Sequence, residues 1–136
     1  MTIKVRGMAP LIQVFDMPTS VAFYRELLGF ELIGRSDPDQ EWAFAMLQLD
    51  DAVLMLNTVY EEAERPEAPD PARVAAHVDV ALYFGAPDVD AVYEHLRAKG
   101  LAVEPPTITS YGFRVVIVRD PDNYALCFQW PVAEPA

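Results

Sequence analysis

The residues that most often carry catalysis are scarce in this chain. Its 136 residues include two histidines and one cysteine. His95 falls within a helical pattern and is expected to face solvent, while Cys127 is expected to be a small buried hydrophobe rather than a reactive thiol. No Ser-His-Asp or Cys-His set can be assembled from so few residues, and a single cysteine excludes a disulfide framework and any CxxC site.

Aromatic and methionine side chains offer a different chemistry, the binding of a flat organic molecule. Strand alternation predicts that one face of the expected sheets carries Trp42, Phe44, Met46, Met55, Asn57, Tyr83 and Cys127. The opposite, helix-facing set is Leu47, Leu49, Leu54, Leu56, Leu82, Phe84, Leu126 and Phe128. A register shift of one residue around 42–49 would exchange the two sets there. Rings and thioethers with few polar groups suit stacking on a planar ligand or a cation, although core filling is the ordinary role of any one of them.

Three residues near the predicted strand 113–118 complete the candidate site. Tyr111 and Phe113 stand at the entrance of that strand, and Arg114 is expected to reach a ligand. Arg119, at the other end, is expected to brace the following turn or to meet solvent.

The elements that position these residues form a duplicated pattern. Asp16 and Gly29 bracket one amphipathic helix, and Asp88 and Gly100 bracket a second, with the aspartates as caps and the glycines as left-handed stops. Strand-like runs at 11–15, 31–34, 42–49 and 52–56 surround the first helix, and runs at 78–84, 101–103, 113–118 and 125–130 surround the second. The sequence therefore predicts an α+β fold of two βαβββ modules, at 1–60 and 76–131, within one domain spanning 1–136.

Composition narrows the function classes. Ten Lys and Arg against 21 Asp and Glu give a net charge of −11 and a pI near 4.4, which disfavours nucleic acid and would attract cationic partners. No apolar run is long enough to span a membrane and no targeting signal opens the chain, so a cytoplasmic protein is expected. The acidic, proline-rich stretch 61–75 is expected to be an extended linker, with an acidic lip over a pocket as the alternative.

Several motifs together resemble the vicinal oxygen chelate superfamily, which includes glyoxalases, type I extradiol dioxygenases, fosfomycin-resistance enzymes and bleomycin-resistance proteins. They are DMPTSVAFY at 16–24, LLGF at 27–30, DVDAVY at 88–93, YGFR at 111–114 and VRDPD at 118–122. The resemblance covers nearly the whole chain and is closest to the bleomycin-resistance branch. It implies two half-barrel modules, usually paired into a dimer. Because a proline is typical of the place of Pro10, it also implies that residues 1–9 reach across to a partner copy.

The resemblance also locates the metal ligands that some members of the superfamily carry. The matching positions here are Ala9, Met55, Ala81 and Cys127. Two alanines, a thioether and one thiol cannot supply the three or so N, O or S ligands of a catalytic divalent ion, so no metal or other cofactor is expected.

These observations favour a metal-independent homodimer that binds and sequesters a small antibiotic-like molecule, aromatic or cationic, without changing it. A glyoxalase- or dioxygenase-like metalloenzyme with atypical ligands, such as His77 or Gln13, is the main alternative. His77 shares strand parity with Ala81 and is expected near the rim of the same face, although a lone histidine there is more often a surface residue. A metal-free isomerase or lyase with a carboxylate base, and a purely structural role, complete the alternatives.

Overall fold

The computed structural model describes residues 2–36 and 42–132. The chain divides into two compact units, Met1–Pro69 and Asp70–Ala136, and each unit contains a four-stranded sheet of its own.

The first unit is a four-stranded sheet with one helix. Its strands are β1 (Leu11–Val14), β2 (Glu31–Arg35), β3 (Phe44–Leu49) and β4 (Ala52–Thr58), and helix α1 (Met17–Ala22) continues into a π-helical turn, Phe23–Leu27. The strand order is β1-β4-β3-β2, with β1 parallel to β4 and the other pairs antiparallel. A bulge interrupts β2 between Leu32 and Gly34.

The second unit repeats this topology. After helix α2 (Pro71–Ala76) and a 3-10 turn (His77–Asp79) come β5 (Ala81–Gly85), α3 (Val89–Ala98), β6 (Thr107–Ile108), β7 (Phe113–Arg119) and β8 (Ala125–Pro131). The order β5-β8-β7-β6, with β5 parallel to β8, matches the first sheet strand for strand. The predicted α+β class and the duplicated βαβββ pattern are therefore confirmed.

Both amphipathic helices are present, but they begin differently. Asp88 caps α3 as expected, because its Oδ1 accepts the N–H of Ala91 at 3.0 Å. Asp16 makes no such bond, since its carboxylate accepts the Thr19 hydroxyl at 2.8 Å instead. The π-helical turn that follows α1 allows two consecutive rings, Phe23 and Tyr24, to be buried together.

Two segments differ from the sequence-based expectation. Residues 101–103 form no strand. The pairing segment is β6, which begins at Thr107 after Pro105 and Pro106, residues that have no N–H to donate. The stretch 61–75 is not wholly extended, because it contains a 3-10 turn and the start of α2. Asp70 caps α2 through the Ala72 N–H, and Pro71 occupies its first turn.

Each sheet packs its helix against one face. In the first unit that face carries the buried side chains Ile12, Val14, Ala45, Leu47, Leu54 and Leu56, and α1 contacts β3 and β4. In the second unit it carries Val116, Val118, Leu126 and Phe128, and α3 contacts β7 and β8. The other face of each sheet carries the candidate site residues. Within the described ranges, no helix has the length and apolarity needed to cross a bilayer.

Candidate functional site

The strand register brings several predicted site residues together on the first sheet. Met46 is paired with Met55, and Phe44 with Asn57, across the antiparallel β3–β4 ladder. The parallel β1–β4 pairing adds two more residues to the same side. We call this side the first face: Leu11, Gln13, Phe44, Met46, Met55 and Asn57. Its side chains are half-buried or exposed, whereas those that alternate with them in these strands are largely buried against the helix side, as the alternation predicts.

A second side-chain surface lies on the other sheet, opposite α3. Cys127, in β8, is flanked by Tyr83 on β5 and Ile117 on β7, each directly across from it. We call this surface the second face: Tyr83, Phe113, Val115, Ile117, Arg119, Ala125, Cys127 and Gln129. Val115, Ala125 and Cys127 form a buried apolar cluster within it, while Tyr83 and Ile117 are 58% and 49% exposed.

Tyr111 joins the second face from the loop before β7. Its hydroxyl donates to Oε1 of Gln129 at 3.3 Å, and its ring meets that of Phe113 at 5.3 Å between centroids with a 51° tilt. The Tyr111 side chain is 59% exposed. The second face therefore presents accessible rings beside a small apolar surface, an arrangement on which a planar molecule can stack.

The electrostatics of the second face keep its thiol protonated. Burial raises the pKa of Cys127, although a hydrogen bond from Tyr83 and the charge of Arg119 oppose the rise. The pKa of Tyr83 is also raised, mainly by the neighbouring charge of Cys127 and then by that of Tyr111. Both groups are neutral at physiological pH, so Cys127 is a poor nucleophile there, as expected from its apolar neighbours.

The residues at the ligand positions of the superfamily do not fit a metal ion. Ala81 and Ala9 offer no donor atom, Met55 offers only a thioether, and the Cys127 thiol is held protonated. Across residues 2–36 and 42–132, no three histidine, cysteine, aspartate or glutamate side chains are grouped as a metal would require. These four positions therefore supply fewer donors than a catalytic divalent ion needs.

His77, one of the atypical ligands considered, is occupied elsewhere. It is 9% exposed, its Nδ1 donates to the carbonyl of Asp122 at 2.6 Å, and its ring stacks on Tyr124 at 4.1 Å. The histidine therefore fastens the segment before β5 to the turn before β8. The other atypical ligand, Gln13, lies on the first face, directly across from Asn57.

Two predicted site residues make the contacts that the structure gives them with residues outside the two faces. Arg114 alternates with Phe113 and Val115, so it lies on the helix side of β7, where its guanidinium bonds the Asp90 carboxylate of α3 at 2.6 Å. The structure therefore places Arg114 away from the second face. Trp42 precedes β3, and its ring stacks against the Arg35 guanidinium at 4.0 Å, so the contact that the structure gives it is with edge strand β2.

Gln129, Val115 and Ile117 lie on the second face although the sequence did not indicate them as site residues, and Arg119 was expected to brace the turn or to meet solvent. The alternation of side chains along each strand is the signal that could have identified them. Gln129 follows Cys127 by two residues in β8, and the same spacing along β7 relates Phe113, Val115, Ile117 and Arg119. The bracing role of Arg119 is nevertheless confirmed, because its Nη1 donates to the carbonyl of Asn123 at 3.1 Å.

Comparison with known proteins supports both the fold and the family. A family model described as Glyoxalase/Bleomycin resistance protein/Dioxygenase superfamily matches residues 8–128. No curated protein sequence matches the chain significantly.

Among solved structures, TioX from Micromonospora sp. ML1 is similar with a TM-score of 0.73 and 19% identity over 94% of this chain and 100% of that one. The bleomycin-binding protein of Streptomyces verticillus, solved with copper(II)-bleomycin, has a TM-score of 0.70 and 21% identity, and the match covers 98% of this chain and 100% of that one. TnmS3, an antibiotic-binding protein from Streptomyces sp. CB03234, has a TM-score of 0.66 and 22% identity, and the match covers 95% of this chain and 99% of that one. At these identities the likeness demonstrates a shared fold.

Proposed function

We propose that this chain, which belongs to the glyoxalase/bleomycin resistance protein/dioxygenase superfamily, binds a small aromatic molecule and sequesters it without chemical change. The observation that carries the proposal is the second face, where Tyr83, Tyr111 and Phe113 surround a buried apolar cluster. Two structural neighbours, a bleomycin-binding protein and an antibiotic-binding protein, support the binding of a small molecule.

The chemistry of the second face suits binding better than catalysis. Each ring that stacks on a ligand contributes on the order of 0.5–1.5 kcal/mol beyond the burial of apolar area, which adds about 25 cal/mol per Å². Catalysis of proton transfer or acyl transfer would need a base or a nucleophile at the ligand. The Cys127 thiol is protonated, and the remaining polar groups of this face are phenols, an amide and a guanidinium. Sequestration needs only affinity and a stoichiometric amount of protein.

The proposal is tested with a neutral planar probe, naphthalene carboxamide, titrated into the protein by calorimetry or by quenching of its fluorescence. Removing one stacking ring, in Tyr111→Ala or Phe113→Ala, should weaken binding about five- to tenfold, which corresponds to roughly 1 kcal/mol. Tyr93→Ala, which removes a ring from α3 in the same unit, is the matched control and should leave the affinity within twofold.

Two outcomes would overturn the proposal. One is the absence of any binding tighter than millimolar by a panel of planar aromatic antibiotics and the naphthalene probe. The other is conversion of a bound molecule, detected as a new mass after incubation with the protein, with or without added divalent metal. Equal losses of affinity in Tyr93→Ala and Tyr111→Ala would remove the second face as the binding surface.

The proposal includes a homodimer in which the N-terminal arm pairs with a second copy. Ile3, Val5 and Met8 are 91%, 71% and 87% exposed, and Lys4 and Arg6 alternate with the first two in a strand-like pattern. Apolar side chains this accessible favour a partner surface. Light scattering at micromolar concentration should give twice the 15.2 kDa chain mass, and deletion of residues 2–8 should give the single-chain mass. A full-length monomer would contradict this part of the proposal.

A further inference from the structure

The second face carries no negative charge. None of its residues is an aspartate or a glutamate, although the chain has 21 of them. The charged residue on this face is a cation, Arg119. A cationic ligand would therefore find no carboxylate partner among the residues of the second face.

Arg119 stands at one end of the second face. It is paired with Ala125 across the β7–β8 ladder, on the same side as Cys127, and it is separated from Phe113 by six residues along β7. At about 3.3 Å per residue the row from Phe113 to Arg119 extends roughly 20 Å, which is long enough for a multi-ring ligand. Tyr111 and Gln129 provide neutral hydrogen-bonding groups toward the Phe113 end.

The Arg119 guanidinium retains donors for a ligand. The structure gives it one hydrogen bond, from Nη1 to the Asn123 carbonyl at 3.1 Å, and no ion pair with any described residue. A guanidinium carries five N–H donors, and a fork of two suits a carboxylate or a phenolate oxygen. Its side chain is exposed, and its charge reaches Cys127, where it opposes the rise in the thiol pKa.

The acidic residues nearest in sequence form no ion pair with Arg119. Asp120 directs Oδ1 into the turn, where it accepts the backbone N–H of Asp122 and of Tyr124. Asp122 is itself buried, at 5% exposure. By contrast, the other arginine of β7, Arg114, is already paired with Asp90 on the helix side.

We infer that Arg119 is a specificity-determining residue of the second face, and that the ligand is a flat aromatic molecule bearing an anionic oxygen. The rings of Tyr83, Tyr111 and Phe113 stack on its planar part, and Arg119 binds the carboxylate or phenolate at one end. This inference rests on the proposed binding function, and it reverses the preference for cationic ligands that the net charge of the chain predicts.

The test compares three probes that share one multi-ring system and one flexible arm, which together are long enough to stack near Phe113 and approach Arg119: pyrenebutyrate, pyrenebutyramide and pyrenylbutyl trimethylammonium. The wild-type protein should bind the carboxylate about five- to tenfold more tightly than the amide, and the ammonium most weakly, as expected for a partly exposed charge-assisted contact. Arg119→Gln should abolish the preference for the carboxylate while changing the affinity for the amide less than twofold. Arg119→Lys should retain part of the preference, because the charge remains and the fork is lost.

Arg114→Gln is the matched control, since it removes an arginine from the same strand on the opposite side, and it should leave the preference unchanged. Gln129→Glu adds a carboxylate to the second face while keeping an acceptor for the Tyr111 hydroxyl, and it should shift the preference toward the ammonium probe. The Gln129 variant also tests the inference should Arg119→Gln fail to fold.

The outcomes separate this inference from the function on which it rests. Binding of all three probes with equal affinity, or tightest binding of the ammonium, would overturn the role of Arg119 and leave aromatic binding in place. An unchanged carboxylate preference in Arg119→Gln would also overturn it. Failure of the wild-type protein to bind any probe would overturn the binding function itself, and the inference with it.

Discussion

One buried carboxylate holds the turn between β7 and β8. Asp120 is 5% exposed, and its Oδ1 accepts the N–H of Asp122 at 2.9 Å and that of Tyr124 at 2.8 Å. Asn123, within the turn, has a φ of 72°, a conformation that needs such support in a residue other than glycine. The turn also carries the ring on which His77 stacks, so the carboxylate indirectly anchors the segment that leads into β5.

The cost of removing this carboxylate follows from the two hydrogen bonds. A hydrogen bond to a charged group contributes about 1.5–3 kcal/mol, and a buried N–H left without an acceptor costs about 1–3 kcal/mol. Because water can enter part of the space left by the side chain, Asp120→Ala should lower the free energy of unfolding by about 3–5 kcal/mol. Asp120→Asn keeps an oxygen that can accept the same two N–H groups and should lower it by only about 1–2 kcal/mol.

Urea unfolding followed by tryptophan fluorescence measures both differences, with the slope of each curve checked against the wild-type value. For a chain of this size the alanine variant should also melt on the order of 10–20 °C below the wild type. The reasoning would be refuted by an alanine variant within about 1 kcal/mol of the wild type. An asparagine variant as unstable as the alanine variant would show that charge, rather than hydrogen-bond acceptance, supports the turn.

Three further predictions concern single residues. The raised pKa of Cys127 means that the folded state holds the thiol proton more tightly than the unfolded state does. The stability that this difference contributes is fully present below the ordinary thiol pKa of 9.0, and it is lost as pH rises through the folded pKa. Urea midpoints between about pH 7 and pH 11 should therefore fall less steeply in Cys127→Ala than in the wild type. Gly100→Ala should cost about 1–2 kcal/mol in thermal unfolding from the φ of 84° alone, because a Cβ there meets no neighbour within 4 Å. Arg114→Gln should change the unfolding free energy by less than about 1 kcal/mol in urea, because its ion pair with Asp90 is largely exposed.

Sheet topology and side-chain faces were predictable from the sequence where alternation was clear. Leu47, Leu54 and Leu56 are buried on the helix side, as predicted, because a sheet that packs one face on a helix needs large apolar residues at every second position. The same rule places Met46 and Met55 on the first face. Duplication strengthened the prediction, since each module independently indicated the same order of elements.

Arg114 lies apart from the other predicted site residues of β7 for a reason that alternation itself supplies. Phe113 and Arg114 are consecutive in β7, and consecutive strand residues point to opposite faces, so a site that included both contradicted the strand period. The long arginine side chain finds its carboxylate on α3, a contact between elements 24 residues apart that no local pattern indicates.

Other features were unpredictable because their signals are weak or shared. The start of α2 is marked by Asp70 and Pro71, but its six residues bury no side chain, so no apolar period distinguishes the helix from a linker. The π-helical turn after α1 has the composition of an ordinary helix, and its register depends on tertiary packing of Phe23 and Tyr24. The role of Asp120 required the turn geometry, although the aspartate itself was visible in the sequence.

Net charge is a property of the whole molecule, whereas recognition depends on the charges that face the ligand. The chain carries a net charge of −11, but the one charged residue on the second face is Arg119. The net charge of the protein should therefore oppose the approach of an anionic ligand, whereas the contact with Arg119 should stabilise that ligand once it is bound. At low salt the field of the protein repels pyrenebutyrate, and added salt screens this repulsion, since the Debye length is about 30 Å at 0.01 M and about 8 Å at 0.15 M. Its association rate in stopped-flow measurements should rise over that range, while its dissociation rate rises modestly as the Arg119 contact is screened. An association rate that falls with added salt would mean that Arg119 governs the long-range field, and would contradict the separation of net charge from site charge.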